Sequence, residues 1–459
     1  MQACRAEEAI SLSNVMPVNA THDQRLRSWV PSANTPGCDF PIQNLPFGAF
    51  RRSSSSPGRI GVAIGDEILD LQLGAERGVF DDAATLVRNA CRASSLNELM
   101  RLGPEVWSHL RSTISEWLRA DGAGPRIHQH AIEPLLVSRS AVTMLLPADI
   151  GDYTDFYASV FHATNVGSMF RPDEPLLPNY KHVPIAYHGR ASSVVPSGTP
   201  VRRPVGQVKP DGASEPLVSA SRRLDYELEV GAFIGPGNDL GEAIPIERAE
   251  QHIFGVCLLN DWSARDIQMW EYQPLGPFLA KSFATSISPW VVTFDALEPF
   301  RAPAFRRPDG DPAPLPYLDA EALRARGGID LRLEVALSTA RMRELHMAPH
   351  VVSRSNLRHL YWTIGQMLTH HASNGCNLRP GDLLGTGTVS GPTRESRGCL
   401  LELTWRGSQP LELPGGETRR FLEDGDEVVL RGYCERDGFT RIGLGECRGQ
   451  ILPAREVTR

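Results

Sequence analysis

From about residue 147 onward, the sequence consists of short apolar runs separated by frequent glycine and proline. Examples are "HIFGVCLLNDWSA", "SPWVVTF", "IDLRLEVAL", "CLLELTW" and "DEVVLRGYC". Runs this short with so many turn residues between them are typical of β-strands. The pattern predicts a mainly β fold with some α-helix, arranged as a β-roll or a mixed β-sandwich.

The N-terminal part has a different pattern, which predicts a separate small module over residues 26–146. In "RIGVAIGDEILDL" two apolar runs flank Gly65-Asp66, and both residues tolerate the positive φ of a tight hairpin turn. In "GPEVWSHLRSTISEWLR", Pro104 suits a first helical turn and apolar residues follow at helical spacing. A chain of 459 residues favours two domains, with residues 147–459 as the second. Residues 1–25 are predicted to be a disordered tail, with Met16 as an alternative start.

Charge and cysteine content exclude several classes of function. The net charge of -7 arises from 47 Lys and Arg against 54 Asp and Glu. These charges are mixed along the chain without a basic stripe, so nucleic acid is not an expected partner. The eight cysteines form no Cys-x-x-Cys pair and no stretch resembles a membrane span, which predicts a cytoplasmic protein with reduced thiols.

One longer helix is predicted within the β-rich region. Ser355 suits an N-cap, and an apolar stripe from Leu357 to Leu368 leads to Asn374-Gly375, where a helix would end. Packing is the favoured role of this helix, rather than catalysis by His370 or His371.

Two glutamates stand two residues apart in "RRLDYELEVGAFIG". On a strand, Glu227 and Glu229 share one face, while Tyr226, Leu228 and Val230 occupy the other. A half-buried strand with a solvated outer face accounts for this pattern. That is the simpler interpretation, and a pair of metal ligands is the alternative, because adjacent carboxylates repel each other unless a cation or a proton neutralises them.

Three other stretches place polar residues among aromatic ones: "DYTDFYASVFHATNVG", "NDWSARDIQMWEYQPLGPFLAKSFATS" and "RPGDLLGTGTVSG". In the first, Asp155 and His162 would lie on one helix face, two turns apart, although a structural histidine is the simpler interpretation. In the second, Asp261 ends an apolar run, where it could cap the next helix or serve a buried site. The residues alone leave both alternatives open.

The longest blocks of the chain carry a family resemblance. They are "DFPIQNLPFGAF", "DYTDFYASVFHATNVGSMFR", "LPNYKHVPIAYHGRASS", "LDYELE", "NDWSARDIQMWEYQPLGPFLAKSF" and "NLRPGDLLGTGTVSG". In this order they resemble the fumarylacetoacetate hydrolase family, from about Trp29 to Pro453. The resemblance implies an N-terminal SH3-like barrel module followed by a larger catalytic β-roll domain. It also implies a homodimeric hydrolase that cleaves 4-fumarylacetoacetate to fumarate and acetoacetate, the last step of tyrosine and phenylalanine breakdown.

The resemblance also implies roles for individual residues. The calcium ligands would be Asp155, Glu227, Glu229 and Asp261, and a magnesium site would combine Asp261 with Lys281 and Thr285. Four carboxylates without cysteine or histidine favour Ca²⁺ or Mg²⁺ over zinc or copper. His162 would be the catalytic base and Glu402 the carboxylate that orients it, with Arg265, Gln268 and Lys281 as donors to the oxyanion. The small-molecule substrate would contact Tyr157, Arg171, Gln268, Tyr272 and Thr388, with Tyr187 in the same pocket.

Simpler interpretations and other functions remain. Arg265 alone resembles a surface charge, and Glu402 alone an exposed acid on a strand.

The chain could also be another enzyme of this fold, such as an acylpyruvate hydrolase or a β-keto acid decarboxylase, or a metal-binding scaffold without activity. A panel of substrates would distinguish a fumarylacetoacetate hydrolase from another enzyme of this fold. Turnover of any substrate would distinguish either enzyme from the scaffold.

Overall fold

The computed structural model describes residues 17–80, 85–121 and 125–456. Within these ranges the chain forms sheets packed with helices, which is a mixed α/β architecture. None of the described helices combines the length and the apolar composition needed to cross a membrane.

A sheet of thirteen strands forms the centre of the described structure. Its strands are β1 (Phe47–Arg51), β2 (Arg59–Ile64), β3 (Glu67–Asp70), β4 (Leu136–Ser138), β5 (Thr143–Met144), β6 (Tyr153–Phe156), β7 (Ala186–Gly189), β8 (Val194–Pro196), β13 (Leu228–Ile234), β14 (Ile253–Asp261), β16 (Thr285–Ile287), β17 (Trp290–Thr293) and β22 (Leu383–Gly385). The main order is β4-β3-β2-β1-β17-β14-β13-β22-β6-β7, with β5 beside β1, β16 beside β14 and β8 beside β16.

A second sheet of five strands has the order β21-β20-β25-β26-β9. These strands are β9 (Val201–Arg202), β20 (Leu331–Ser338), β21 (His350–Asn356), β25 (Glu427–Cys434) and β26 (Ile442–Leu452). Two-stranded pairs join β10 (Val205–Val208) with β11 (Leu217–Ala220), β12 (Leu224–Asp225) with β15 (Ser263–Ala264), β18 (Arg301–Ala302) with β19 (Gly328–Ile329), and β23 (Leu411–Leu413) with β24 (Glu417–Arg419).

The described helices lie between these strands. They are α1 (Leu71–Glu76), α2 (Thr85–Cys91), α3 (Asn97–Met100), α4 (Pro104–Leu118), α5 (Pro125–Ile132), α6 (Val160–Phe170), α7 (Arg265–Glu271), α8 (Glu321–Arg326), α9 (Ala340–Glu344), α10 (Ile364–Ala372) and α11 (Leu400–Leu403). The predicted helix from Pro104 is confirmed, as is the predicted hairpin at Gly65, whose φ is +58°. Helix α6 and the short helix α11 carry residues of the candidate site.

The central strands β13 and β14 are buried along their whole length, because both faces of the sheet are covered. On one face, Val230 and Leu258 pack in the core that includes the five-stranded sheet. On the other face, Phe233 and Leu259 pack with the N-terminal residues, including Trp107 of α4. A charged side chain on such a strand therefore has no access to bulk water and needs a local partner.

The N-terminal strands continue the central sheet. Strand β1 pairs antiparallel with β17, where Phe47 faces Val291 and Gly48 faces Trp290. Strand pairing among the described residues runs between open edges without closing into a barrel. The expected SH3-like module is therefore not confirmed. The predicted fold class is confirmed only as sheets packed with helices.

One predicted helix begins later than expected, and one predicted strand is wrong. The helix expected after Ser355 begins only at Ile364, with Thr363 as its N-cap, because His350–Asn356 is a strand paired with β20. The run "CLLELTW", expected to be a strand, contains helix α11, and its Glu402 is completely buried. Apolar patterning identified both segments as buried but did not distinguish helix from strand.

The predicted tail over residues 1–25 requires a correction in its described part. Residues 1–16 lie outside the described ranges. Ala20–His22 form a 3₁₀ turn capped by Asn19, and Thr21 and His22 are buried. His22 Nε2 lies 2.8 Å from the backbone oxygen of Asp295, so this segment packs against the central sheet and is not a free tail.

A buried arginine connects this segment to the core. Arg111 of α4 forms hydrogen bonds with Thr21 and with the backbone oxygen of Gln43, and its Nη1 lies 3.7 Å from Asp295 Oδ2. Burial lowers the pKa of Arg111 to about 10, opposed by the attraction of Asp295. The arginine is charged at neutral pH, and its partners offset the free-energy cost of burying that charge.

Replacement of Arg111 with methionine is expected to lower the free energy of unfolding by about 3 kcal/mol, because it leaves the partners of a buried charge unsatisfied. Urea denaturation measures the change. The matched control is Arg101→Met, which removes an exposed arginine 3.7 Å from Glu98 and is expected to cost under about 0.5 kcal/mol. Equal effects of the two variants would contradict the structural role of Arg111.

Candidate active site

Four buried carboxylates converge at one edge of the central strands. Asp155 lies on β6, Glu229 on β13 and Asp261 at the end of β14, while Glu227 directly precedes β13. One oxygen from each residue lies within 4.8 Å of the others. We call this group the acidic cluster.

The register of the sheet brings these acids together. Glu229 pairs with Leu259, so Asp261, two residues later, points to the same face. Strand β22 separates β13 from β6 and has Gly385 opposite Asp155. A Cβ atom at Gly385 would lie 2.4 Å from Asp155 Oδ1, so glycine leaves the space in which the carboxylates meet. The backbone N–H of Gly387 donates to both Asp155 and Glu229, at 3.1 and 3.0 Å.

The acidic cluster is only partly neutralised by protein cations. Lys281 Nζ lies 2.5 Å from Glu227 Oε2 and 2.6 Å from Asp261 Oδ2, and Arg265 Nη1 lies 2.8 Å from Glu227 Oε1. Within the described chain, Asp155 and Glu229 have no lysine, arginine or histidine within 4.0 Å. Glu229 Oε1 is also buried without a hydrogen-bond partner among these residues.

The pKa values follow this unequal distribution of charge. Burial, and then repulsion by Asp261, raises the pKa of Asp155 well above its usual value. Burial and repulsion by Asp155 raise the pKa of Glu229 in the same way. Burial opposes ionisation of Glu227 too, but Lys281 and Arg265 outweigh it and lower the pKa of Glu227 below its usual range. The residues therefore fit a cation that would occupy the side of Asp155 and Glu229.

Two neutral side chains also bind Asp261. The Tyr187 hydroxyl donates to Oδ2 at 2.6 Å, and the Thr285 hydroxyl donates to Oδ1 at 3.1 Å. Together with Lys281, these contacts fix the orientation of the Asp261 carboxylate. The structure thus brings Lys281 and Thr285 to Asp261, while the predicted helix-capping role does not apply because Ala264 is the N-cap of α7.

Next to the acidic cluster lies a buried histidine and glutamate pair. His162 Nδ1 is 2.6 Å from Glu402 Oε2. Glu402 also accepts hydrogen bonds from Asn165 at 2.8 Å and from Ser390 at 2.8 Å. Burial alone would raise the pKa of Glu402, but His162 and these donors lower it to about 2. Glu402 is therefore ionised, and Nδ1 of His162 carries the proton that it accepts.

The expected geometry of His162 needs correction. Asp155 and His162 are not two turns apart on one helix, because Asp155 is on β6 and His162 is in the first turn of α6. Ser159 caps α6 by accepting the N–H of His162 at 3.2 Å. Both residues nevertheless line the same cavity.

A cavity of about 630 Å³ opens beside both groups. All predicted substrate contacts line it: Tyr157, Arg171, Tyr187, Gln268, Tyr272 and Thr388. Arg265, expected in isolation to be a surface charge, is buried and also lines it. Arg265 Nη2 and Thr388 Oγ1 are buried without hydrogen-bond partners among the described residues, so their hydrogen-bonding capacity is not used within this part of the chain.

Sequence reasoning missed residues that support these groups. Asn165 and Ser390 hold Glu402, and both lie within quoted blocks without having been singled out. Gly385 and Gly387 of "GDLLGTGT" shape the acidic cluster, and a pair of glycines at the end of a buried strand was the available signal.

Comparison with known proteins identifies the family of the chain. A family model described as fumarylacetoacetate (FAA) hydrolase C-terminal matches residues 153–452, and one described as fumarylacetoacetase N-terminal matches residues 43–147. Curated fumarylacetoacetases from Rattus norvegicus and Oryza sativa are 51% and 49% identical, covering 93% and 94% of this chain and 99% and 98% of their own. A solved fumarylacetoacetate hydrolase from Exiguobacterium antarcticum has a TM-score of 0.48 at 16% identity, covering 90% of this chain and all of its own.

Proposed function

The chain belongs to the fumarylacetoacetate hydrolase family, and we propose that it hydrolyses 4-fumarylacetoacetate to fumarate and acetoacetate, the last step of tyrosine and phenylalanine breakdown. The observation that carries this proposal is the meeting of two groups in one cavity. The His162–Glu402 pair supplies a base, and the acidic cluster supplies a place for a divalent cation.

Asp155, Glu227, Glu229 and Asp261 would hold the cation. Their carboxylate oxygens suit Ca²⁺ or Mg²⁺, and the unpaired Oε1 of Glu229 is available as a ligand. Lys281 and Thr285 would support a Mg²⁺ site through Asp261. When bound, such a cation acts as a Lewis acid that stabilises negative charge on ketone oxygens.

His162 would act as the general base. Because ionised Glu402 fixes the proton on Nδ1, Nε2 is left as the nitrogen that accepts a proton from water. The T-shaped contact with Tyr157, with ring centroids 5.1 Å apart, holds the imidazole in place. The proton passes from water to Nε2 as the oxygen attacks the ketone carbon. The bond between that carbon and the acetoacetate fragment then breaks, its electron pair leaves with acetoacetate as an enolate, and the proton on Nε2 is returned to the enolate carbon.

The cationic and neutral donors of the cavity would bind the substrate. Arg265 Nη2 is a buried free donor suited to the developing oxyanion, and Gln268 and Lys281 line the cavity near it. Arg171 suits a carboxylate of the dianionic substrate, with hydrogen bonds from Tyr157, Tyr272 and Thr388. Tyr187 would line the same site while it holds Asp261.

Further features are part of this proposal. The two separate family matches support a division of the chain into residues 26–146 and residues 147–459. An SH3-like fold for the first part and a catalytic β-roll for the second are proposed from the family resemblance alone. The protein would act as a cytoplasmic homodimer. Exposed apolar side chains at Leu275 and Phe278 support burial by a second copy, and the seven free described cysteines support a reducing compartment.

The direct experiment measures consumption of fumarylacetoacetate by the purified protein supplied with Ca²⁺ or Mg²⁺. We expect loss of the substrate's ultraviolet absorbance and formation of fumarate and acetoacetate in equal amounts. Absence of turnover with either ion, for a folded protein, would contradict the proposal. Turnover of an acylpyruvate at a higher kcat/KM would instead identify a related hydrolase.

A further inference from the structure

Helix α6 lines one wall of the cavity. His162, Val166 and Phe170 follow one another at four-residue spacing, so they share a helix face, and all three line the cavity. A rise of 1.5 Å per residue separates His162 from Phe170 by about 12 Å along the helix axis. The cavity therefore extends from the catalytic pair to the C-terminal end of α6.

An arginine with no assigned role lies at that far end. Arg406 Nη1 donates to the backbone oxygen of Met169 at 3.0 Å, and its Cζ lies 4.6 Å from the centre of the Phe170 ring. Arg171 follows Phe170 directly and donates from Nη2 to the backbone oxygen of Pro175 at 3.2 Å. Both arginines line the cavity. We call Arg171 and Arg406 the guanidinium pair.

The guanidinium pair differs in charge balance from the cations near the reacting groups. Arg265 and Lys281 are engaged by carboxylates of the site, including Glu227. By contrast, neither Arg171 nor Arg406 lies within 4.0 Å of a carboxylate belonging to the described chain. Positive charge that is not neutralised inside a partly enclosed cavity attracts anions.

The backbone that presents Arg406 is unusual. Trp405, Arg406 and Gly407 have φ values of +47°, +59° and +86° in succession. A left-handed conformation costs a non-glycine residue about 1–2 kcal/mol, and such conformations concentrate at functional sites. The turn follows the C-cap of α11, so the short segment that places Glu402 against His162 also brings Arg406 to the cavity.

We propose that Arg406 acts with Arg171 to bind the carboxylate of the substrate that lies farther from the acidic cluster, and that Arg406 thereby determines the preference for a dicarboxylate. The inference rests on the proposed function, whose substrate carries a carboxylate at each end. Guanidinium groups present paired donors to a carboxylate, and the Met169 contact occupies only one donor of Arg406. The competing explanation is that Arg406 only caps the C-terminal end of α6.

The test replaces Arg406 with methionine, which keeps an apolar contact over Phe170 and removes the charge. We expect KM for fumarylacetoacetate to rise about tenfold or more, as for the loss of a charge-assisted hydrogen bond, with kcat changed by less than about threefold. Binding of suberate, an unreactive eight-carbon dicarboxylate, should weaken by a similar factor. Arg406→Lys should restore part of the affinity because it restores the charge.

The matched control is Arg420→Met, which removes the same charge from an exposed side chain near this turn and should leave both values within about twofold. Unchanged suberate affinity in folded Arg406→Met, with a lowered melting temperature, would overturn the inference in favour of helix capping. If Arg406→Met fails to fold, Arg406→Lys provides the test, because lysine lacks the paired donors of arginine. Unchanged suberate affinity and unchanged KM in Arg406→Lys would then overturn the inference. Suberate binding requires no turnover, so inactivity of the unaltered protein toward fumarylacetoacetate would count against the proposed function alone.

Discussion

Replacement of His162 with alanine is expected to lower kcat by about 10²- to 10⁴-fold, the usual contribution of a general base. We propose His162 as the base because its Nδ1 is held by Glu402 at 2.6 Å and its ring lines the cavity beside the acidic cluster. The pKa of Glu402 is lowered to about 2, so the carboxylate is ionised throughout the working range and fixes the tautomer of the ring. Stopped-flow or steady-state assays with saturating cation measure kcat.

The matched control is His182→Ala, which removes an exposed histidine that does not line the cavity. Its kcat should stay within about twofold of the unaltered protein. Calcium affinity should be unchanged in His162→Ala, which separates loss of the base from loss of the cation site. A kcat above a tenth of the normal value in His162→Ala would show that another group removes the proton.

Replacement of Glu229 with glutamine is expected to weaken binding of Ca²⁺ by at least about 100-fold, since even loss of residues that only orient ligands costs 10- to 100-fold. In the presence of a chelator, the same variant should be more stable against unfolding than the unaltered protein. Glu229 repels Asp155 in the metal-free state, and its Oε1 has no hydrogen-bond partner there among the described residues. Without a cation, folding must either bury both charges or protonate one carboxyl group above its usual pKa, and a neutral side chain at position 229 removes that penalty.

The two effects of Glu229→Gln have opposite signs, which excludes general damage to the fold as their cause. Isothermal titration calorimetry measures the affinity, and thermal unfolding with Ca²⁺ or with chelator measures stability. At 100 times the dissociation constant, a bound cation stabilises the unaltered protein by about 2.7 kcal/mol, and this gain should nearly vanish in the variant. Glu242→Gln, at an exposed position, is the control. A variant that gains as much stability from Ca²⁺ as the unaltered protein would contradict the assignment of Glu229.

Local sequence signals predicted the elements whose formation depends on neighbouring residues. The hairpin at Gly65 needs a residue tolerant of positive φ, and α4 needs Pro104 and an apolar stripe, all within a few residues. The run ending at Asp261 is apolar on both faces and became the fully buried β14. In these segments, local preference and tertiary packing agree.

Segments that depend on distant partners were not predictable in this way. Glu402 is 240 residues from His162 in the chain, so its alternation with leucines suggested an exposed acid on a strand. Arg265 resembled a surface charge because its partners, Asp225 and Glu227, lie about 40 residues earlier. The positions of these residues in the site were implied only by the family resemblance, and the resemblance gave no sign of Arg406.

The proposed hydrolysis depends on a divalent cation held by the four buried acids beside the His162–Glu402 pair. Anomalous scattering from crystals grown with Mn²⁺ locates such a cation. We expect one strong peak within about 2.0–2.6 Å of oxygens from at least three of Asp155, Glu227, Glu229 and Asp261, the range for hard cations with oxygen ligands. A protein that turns over substrate with Mn²⁺ but shows no peak between these carboxylates would contradict the account.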